Sequence, residues 1–459
     1  MRRTHFFAAI LISSLATLLS SCGGANNSQS QLTTGTPVSL TMRDTPPGGV
    51  TVLSFEITVT GALLEPGDVP VVNKAIKVEV EKLQTETAFL NTANAQPGVY
   101  NSIALTFANP ELTILNKSGS PIGNCADGAV CELKPALSQG PVVYSASPFP
   151  LTLTSNNPVG LLLDFDLNAS IQTDLSVNPT ITFTQLPAVQ GTGELEDLEE
   201  VKGQVTAKDV DKNQFTLQTD AEVSITVQVD GNTEFEEFDE IGLANSFSSV
   251  AVGQNLEVDL GLMSGGTLLA KKVELKENAN GEEVEGTIVS VDSPTQFKVV
   301  ALDEVPDIAG MEVGNVVTVA IQSGASFRVD ADGLTLPSDV VFNSSADLLV
   351  GQNVEVRLIS GSSGTSVTTD RLTLKMSQVT AKVASVNGSD FTVNNLPTLF
   401  TGASPAITEI NVVTTPETEF EDVANVTALN PLDPVSLRGL LFKTTASPEL
   451  VAKKVRKRL

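Results

Sequence analysis

Serine, cysteine and threonine nucleophiles need a neighbouring base, most often an imidazole. This 459-residue chain has one histidine, His5, and it lies in an apolar N-terminal stretch. If that stretch is removed as a signal, Ser-His-Asp and Cys-His arrangements are excluded. So are the zinc and iron sites usually built on histidine. Of three cysteines, Cys125 and Cys131 stand in NCADGAVC. Their spacing suits a small disulfide-closed loop in an oxidising compartment, and there is no C-x-x-C for a redox dithiol. Carboxylates remain. Asp164 and Asp166 in LLLDFDLNAS could share acid–base work, but residues two apart on a strand share a face. Leu163, Phe165 and Leu167 make the apolar alternate set, so the two aspartates read as the polar face of a strand. Asp209–Asn213, DVDKN, opens like a calcium loop but lacks the glycine at the sixth place and the glutamate at the twelfth. It reads as a hairpin turn. Asp330 and Asp332, ahead of Gly333, are weak calcium candidates. No Gly-rich loop carries the lysine and following helix of a phosphate cradle. The expectation is a protein with no catalytic residues, no cofactor and no dedicated metal site.

The elements that would hold such residues begin after a leader. Arg2 and Arg3 precede an apolar run, Phe6–Ser21, shorter than the ~20 residues a spanning helix needs. This is the pattern of an export signal. Its end, Leu19-Ser20-Ser21-Cys22, resembles the lipobox of bacterial lipoproteins. That resemblance implies cleavage before Cys22 and acylation of it. Gly23 follows, where an aspartate would argue for retention, so the resemblance also implies outer-membrane sorting in a two-membrane cell, on the periplasmic or the surface face. Residues 23–35 are polar and uncharged and read as a flexible tether. The expected partners are therefore the membrane, through the acyl group, and an unknown envelope protein or glycan.

Nucleic acid is an unfavourable partner: the formal charge is −27, and two tyrosines, Tyr100 and Tyr144, with no tryptophan, give few stacking platforms. Gly, Pro, Asn and Asp punctuate the chain every ~8–12 residues between Val-, Thr-, Ile- and Phe-rich runs, the pattern of sandwiches and barrels. In VTVLSFEITVTGALL the alternation puts Leu53, Phe55, Ile57, Val59 and Gly61 toward a core. Val52, Ser54, Glu56, Thr58 and Thr60 fall on the other face. Only KLQTETAFLN, Lys82–Asn91, reads as a turn or two of helix. The stretches VSLTMRDTPPGGVTVLSFEITVTGALLEP, VEVEKLQTETAFLN, PGVYNSIALTF and NPVGLLLDFDLNASIQ resemble the bacterial lipoprotein family called domain of unknown function 4382. The matching features include Asp44-Thr45-Pro46, Pro97-Gly98-Val99-Tyr100 and Leu163–Asp166. The resemblance implies a β-sandwich over residues 36–187 and no activity.

Residues 188–200, including GTGELEDLEE, read as a solvated acidic linker. Then one pattern recurs three times, over 201–277, 283–377 and 378–459. Each unit opens with a hairpin whose second strand starts at Phe215, Phe297 or Phe391. A third strand ends near Phe235, Phe327 or Phe420. A turn follows, VGQNLEV, VGQNVEV or the degraded LDPVSLRG, and then a last strand. Five short strands suggest a small OB-like or SH3-like barrel. Gly253 and Gly351 supply the turn's backbone freedom. The units resemble another uncharacterised module, domain of unknown function 5666. In the second unit, DEVPDIAGMEVGNVVTVAIQ reads as an inserted loop or extra hairpin. The basic end, Lys453, Lys454, Arg456, Lys457 and Arg458, is a last strand that either contacts an anionic surface or pairs with the acidic body of its own chain. The fold expectation is all-β, a sandwich followed by three barrels. The functional expectation is a lipid-anchored envelope protein that binds or scaffolds. The alternatives are a surface adhesin or polysaccharide-binding lipoprotein, and a hydrolase using carboxylates alone.

Overall fold

A computed structural model describes residues 35–45, 51–155, 157–219, 223–276, 282–305, 308–359 and 362–458. The signal, Cys22 and the tether up to Thr34 lie outside the described residues. Alternating apolar residues make the N-terminal module a sandwich. One sheet has the order Ile181–Leu186, Val159–Asp166, Thr36–Thr45, Ala88–Ala95, with a parallel pair in the middle. The other centres on Thr51–Glu65 and Ser102–Leu115. Val38, Leu40 and Met42 of the first sheet pack with Phe55, Ile57 and Val59 of the second in one core. Cys125 and Cys131 form the expected disulfide.

The reading of Thr51–Glu65 needs correction at both ends. Register shifts fall between Val52 and Ser54 and between Val59 and Gly61. Each bulge moves the alternation by one residue and flips the faces. Val52 therefore joins the sandwich core, and Leu53 turns to the opposite side, into the core of the third repeat. Ala62 and Leu64, not Gly61, continue the sandwich core. Ser54 and Thr58 are buried rather than solvated. The helical reading of Lys82–Asn91 also fails in part. Glu81–Gln84 is a single 3-10 turn, and Ala88–Ala95 is a strand that completes the first sheet.

The three repeats share one ring. Strands run in the order one, two, three, five, four, and four pairs back to one. Strands three and five are parallel, which is the OB-type connection and not an all-antiparallel SH3 meander. The second and third repeats are closed barrels. In the first, the third strand is split into Ser224–Gln228 and Glu234–Glu236, both parallel to Leu268–Leu275. Phe235, Phe327 and Phe420 pair with Val273, Leu372 and Val455, so each ends a third strand at the same ring position. The insert reading in the second repeat resolves into a long second strand, Gln296–Val305, and a long third, Val316–Val329. No extra hairpin lies between them among the described residues.

The residues at 253, 351 and 432 occupy one structural place. Their backbone N–H groups donate to Val205, Ile288 and Val383, the same position of each first strand. All three have positive φ: 96° at Gly253, 90° at Gly351 and 74° at Leu432. A left-handed backbone costs a non-glycine residue ~1–2 kcal/mol, and the Leu432 side chain is 72% exposed, with little packing to lose. Leu432→Gly is expected to raise stability by ~1 kcal/mol, read as a higher urea midpoint at unchanged m-value. Gly351 has a second constraint. A Cβ there would lie 2.2 Å from the Phe400 ring, whereas Gly253 has open space. Gly351→Ala is therefore expected to destabilise by more than Gly253→Ala, in the ~1–3 kcal/mol range of an overpacked contact.

The modules interpenetrate. Leu53 and Leu115 of the sandwich belong to the third repeat's core, and Leu440, Phe442 and Val451 of the third repeat belong to the second repeat's. The described residues form one compact unit.

Candidate functional site

The acidic segment expected to be a solvated linker is the first half of a strand, Glu194–Asp209. Leu195 and Leu198 are buried in the first repeat's core. Glu199 and Glu200 reach Arg438 of the third repeat, the latter at 2.7 Å, and Glu86 of the sandwich lies 3.2 Å from the same guanidinium. Arg438 is 1% exposed.

Around this point lies a network of buried charges from all the modules. Lys202 of the first repeat's opening strand pairs with Glu285 of the second and lies 2.9 Å from Asp303. Lys276 pairs with Glu274 and lies 3.4 Å from both Glu257 and Glu355. Lys375 of the second repeat reaches Glu257 of the first at 3.5 Å and Asp330 at 2.6 Å. Arg371 contacts Glu283 at 2.7 Å. Lys276 and Lys375 hold equivalent places at the ends of their fifth strands, opposite Asn255 and Asn353.

Burial opposes ionisation of Glu257, Glu285, Lys202 and Lys375, and neighbouring opposite charges decide the outcome. Burial alone would raise Glu257, but Lys276, Lys375 and Lys202 hold its carboxyl well below the ordinary range. Glu285 is lowered by Lys202 and Lys82 against the same penalty. Lys202 and Lys375 overcome burial through the carboxylates facing them and sit well above an ordinary lysine. At the edge of the network burial wins. Glu81 and Glu86 are each pushed up to about 8, and Glu283 to about 7.

Sequence reasoning missed this network, although cross-strand register carries a signal for it. Glu285 stands directly opposite Glu355, and Glu257 opposite Glu274. Like charges directly opposite are destabilising within one sheet. Such pairs need cations beside them, here Lys276 of the same repeat for Glu274 and lysines of the neighbouring repeat for Glu257, Glu285 and Glu355.

The residues singled out in the sequence fall elsewhere or change role. Asp330 and Asp332 do not frame a cation site. Lysine ammonium groups occupy that space: Lys375 at 2.6 Å from Asp330, and Lys453 at 3.1 Å and Lys272 at 3.4 Å from Asp332. Asp209 pairs with Lys212 in the expected hairpin turn. Asp164 bonds Arg43 at 3.2 Å, and Asp166 caps a short helix through the Ala169 N–H. The basic end is the last strand, Glu449–Lys457. Most of it is not available to an anionic surface: Lys453 pairs with Asp332, Lys454 with Glu199, Arg456 with Glu421 and Lys457 with Asp433. Arg458 follows the strand and lines a cavity.

That cavity, of about 320 Å³, lies between the sandwich and the second and third repeats. Glu81, Glu86, Glu200 and Glu285 line it, so carboxylates do converge in one cleft. Each has a partner. Glu81 accepts from Gln84, Glu86 from Gln378, Glu285 from Asn353, and Glu200 pairs with Arg438. Among the described residues no group of histidine, cysteine and carboxylate side chains could hold a metal ion.

The ring of Lys202–Glu274 decides one comparison. Residues 202–274 match the family described as domain of unknown function (DUF5666). The match covers the first repeat from Lys202, and includes Glu257, Lys272 and Glu274 of the network. The DUF5666 ring is the one whose third strand is split. No curated protein matches the chain.

Proposed function

We propose that the protein is a lipid-anchored, non-catalytic envelope component that presents a rigid acidic body for binding or scaffolding. One observation carries this reading. The buried groups best suited to acid–base chemistry are interlocked across module boundaries, as with Lys202 and Glu285, or Arg438 and Glu199. Their chemistry holds the modules together. The likeness of residues 36–187 to domain of unknown function 4382, and of the second and third rings to DUF5666, supports an exported lipoprotein architecture. Acylation of Cys22 supplies the anchor and the membrane partner.

Cys22→Ser is expected to move the protein from the membrane fraction to the soluble fraction of its native cells, and to abolish incorporation of labelled fatty acid. Unchanged membrane association without label would remove the anchor from this reading. Cross-linking in the same cells, followed by mass spectrometry, is expected to capture a recurrent protein or glycan. Monomer alone would count against scaffolding. A second reading, hydrolysis by carboxylates alone, rests on Glu81 and Glu86 sharing one cavity. Envelope polysaccharide left uncleaved by the purified protein between pH 5 and 8 would remove it.

A further inference from the structure

The disulfide sits on a strand that faces two ways. Val130–Leu133 is an edge strand of the second sandwich sheet, paired with Ser102–Leu115 so that Cys131 stands opposite Ile114 and Glu132 opposite Thr113. Alternation divides its side chains between two bodies. Cys131 and Leu133 pack against the sandwich core, opposite Ile114 and Leu112. Val130 packs against the third repeat's core, which also takes Leu115. The Glu132 carboxylate accepts from the Val316 N–H at 3.0 Å and from the Asn315 amide at 3.2 Å, both in the second repeat. Thr113, its strand partner, donates to the Gly314 carbonyl at 2.7 Å. The strand that carries Cys131 is thus the one that docks the sandwich on the rings.

The two cysteines are held unequally. Cys125 is fully buried and exchanges two backbone hydrogen bonds with Ile122, and its carbonyl also accepts from the buried Asn116 side chain at 2.9 Å. Gly128 and Ala129, between the cysteines, bond the Asn116 backbone. Cys131 is only partly buried, and past it the chain is held by a four-residue ladder and the disulfide. We propose that Cys125–Cys131 is a redox clasp for the docking of the sandwich on the second and third repeats. Reduction frees Val130–Leu133 from Gly314–Val316 while the sandwich and the rings stay folded. The reductant is an external dithiol, since no third cysteine lies among the described residues. Its thiolate attacks the sulfur of Cys131, the more exposed partner, and Cys125 departs as a thiolate. The second thiol of the reagent then attacks the mixed disulfide, and Cys131 departs. The protein gains two electrons and two protons, and the dithiol becomes a cyclic disulfide. Opening the loop removes its constraint on the strand, and a short edge with few buried contacts is the part of a sheet that opens first. The longer pairing of Thr51–Glu65 with Ser102–Leu115 keeps the sheet itself. This reading stands on the packing alone and depends on neither the anchor nor a binding partner.

The test is hydrogen–deuterium exchange of the full chain, oxidised and then reduced with dithiothreitol, with the new thiols counted by alkylation and mass. Reduction is expected to speed exchange at the Val316 amide and through Val130–Leu133 by about tenfold, the ratio for losing one hydrogen bond to a charged group. The ladders of Thr36–Thr45 with Val159–Asp166 and of Pro434–Phe442 with Glu449–Lys457 are expected to keep their protection. Reoxidation is expected to restore slow exchange at Val316. Glu132→Ala in the oxidised chain removes the acceptor and leaves the disulfide, so it is expected to speed Val316 without opening the loop at Cys125. Unchanged exchange at Val316 after complete reduction would overturn the clasp. So would a disulfide that resists dithiothreitol in the folded chain, or slow exchange at Val316 that survives Glu132→Ala. Loss of protection throughout the sandwich on reduction would overturn it as well, by making the disulfide a staple of the fold rather than of the docking.

Discussion

Replacing Arg438 by methionine is expected to cost about 3–5 kcal/mol of stability, the usual penalty for breaking a buried ion pair from one side. The side chain is 1% exposed and faces Glu86, Glu199 and Glu200 from two other modules. Methionine fills much of the space but leaves Glu200 buried without its ion-pair partner and Glu199 with Lys454 alone. Urea denaturation at pH 7.5 gives the measurement, and the third repeat's transition is expected to separate from the rest, since Arg438 joins it to the strand Glu194–Asp209. Acidification to pH 5 should recover part of the loss by protonating the stranded carboxylates. Lys457→Met is the control. Its pair with Asp433 is at the surface, and such pairs contribute at most ~1 kcal/mol. If Arg438→Met behaves like Lys457→Met, the ion pairs do not hold the modules together.

Wild-type stability is expected to fall as pH rises from 5 to 8, the reverse of a protein governed by surface carboxylates. Burial raises Glu81 and Glu86 to about 8 and Glu79, Glu196 and Asp259 to about 7. In the unfolded chain these groups release their protons near 4.5, or 3.8 for the aspartate. Between those limits the native state binds more protons than the unfolded one, so each such group removes up to ~1.4 kcal/mol of stability per pH unit. Below the ordinary carboxylate range the sign reverses. Glu199 and Asp330 are both lowered to about 2 by the cations around them, against the larger effect of burial. Glu257 and Glu285 are lowered in the same manner. Their stabilisation is present above the unfolded value and is lost as pH falls toward 2. The optimum should lie near pH 5, with a loss of several kcal/mol by pH 8. A urea midpoint that stays flat or climbs from pH 5 to 8 would refute the burial of these carboxyls. Glu81→Gln should flatten the slope by one group's share.

The all-β architecture was legible because its determinants are local. Alternation marked the core strands, and the three phenylalanines at 215, 297 and 391, each at most 1% exposed, marked the second strand of every ring. The errors came from effects that alternation does not encode. The bulge between Val52 and Ser54 moved Leu53 into a neighbouring module's core. The acidic run at Glu194–Glu200 looked solvated because its counter-charges, Arg438 and Lys454, lie more than two hundred residues away. A helical pattern at Lys82–Asn91 gave way to a strand because Thr36–Thr45 offered a free edge for Ala88–Ala95 to pair with.

The guanidinium of Arg438 also has a kinetic side. A chain that emerges N-terminus first exposes Glu199 239 positions before its cation arrives. Until then Glu199, Glu200 and Glu86 lack the guanidinium that faces all three in the folded chain. Long-range closure of this sort is slow, because the entropy of a large loop is lost before any contact forms. The last ring therefore supplies both the cation for Glu199 and Glu200 and part of the second repeat's core, and a chain truncated before residue 434 is expected to lack both.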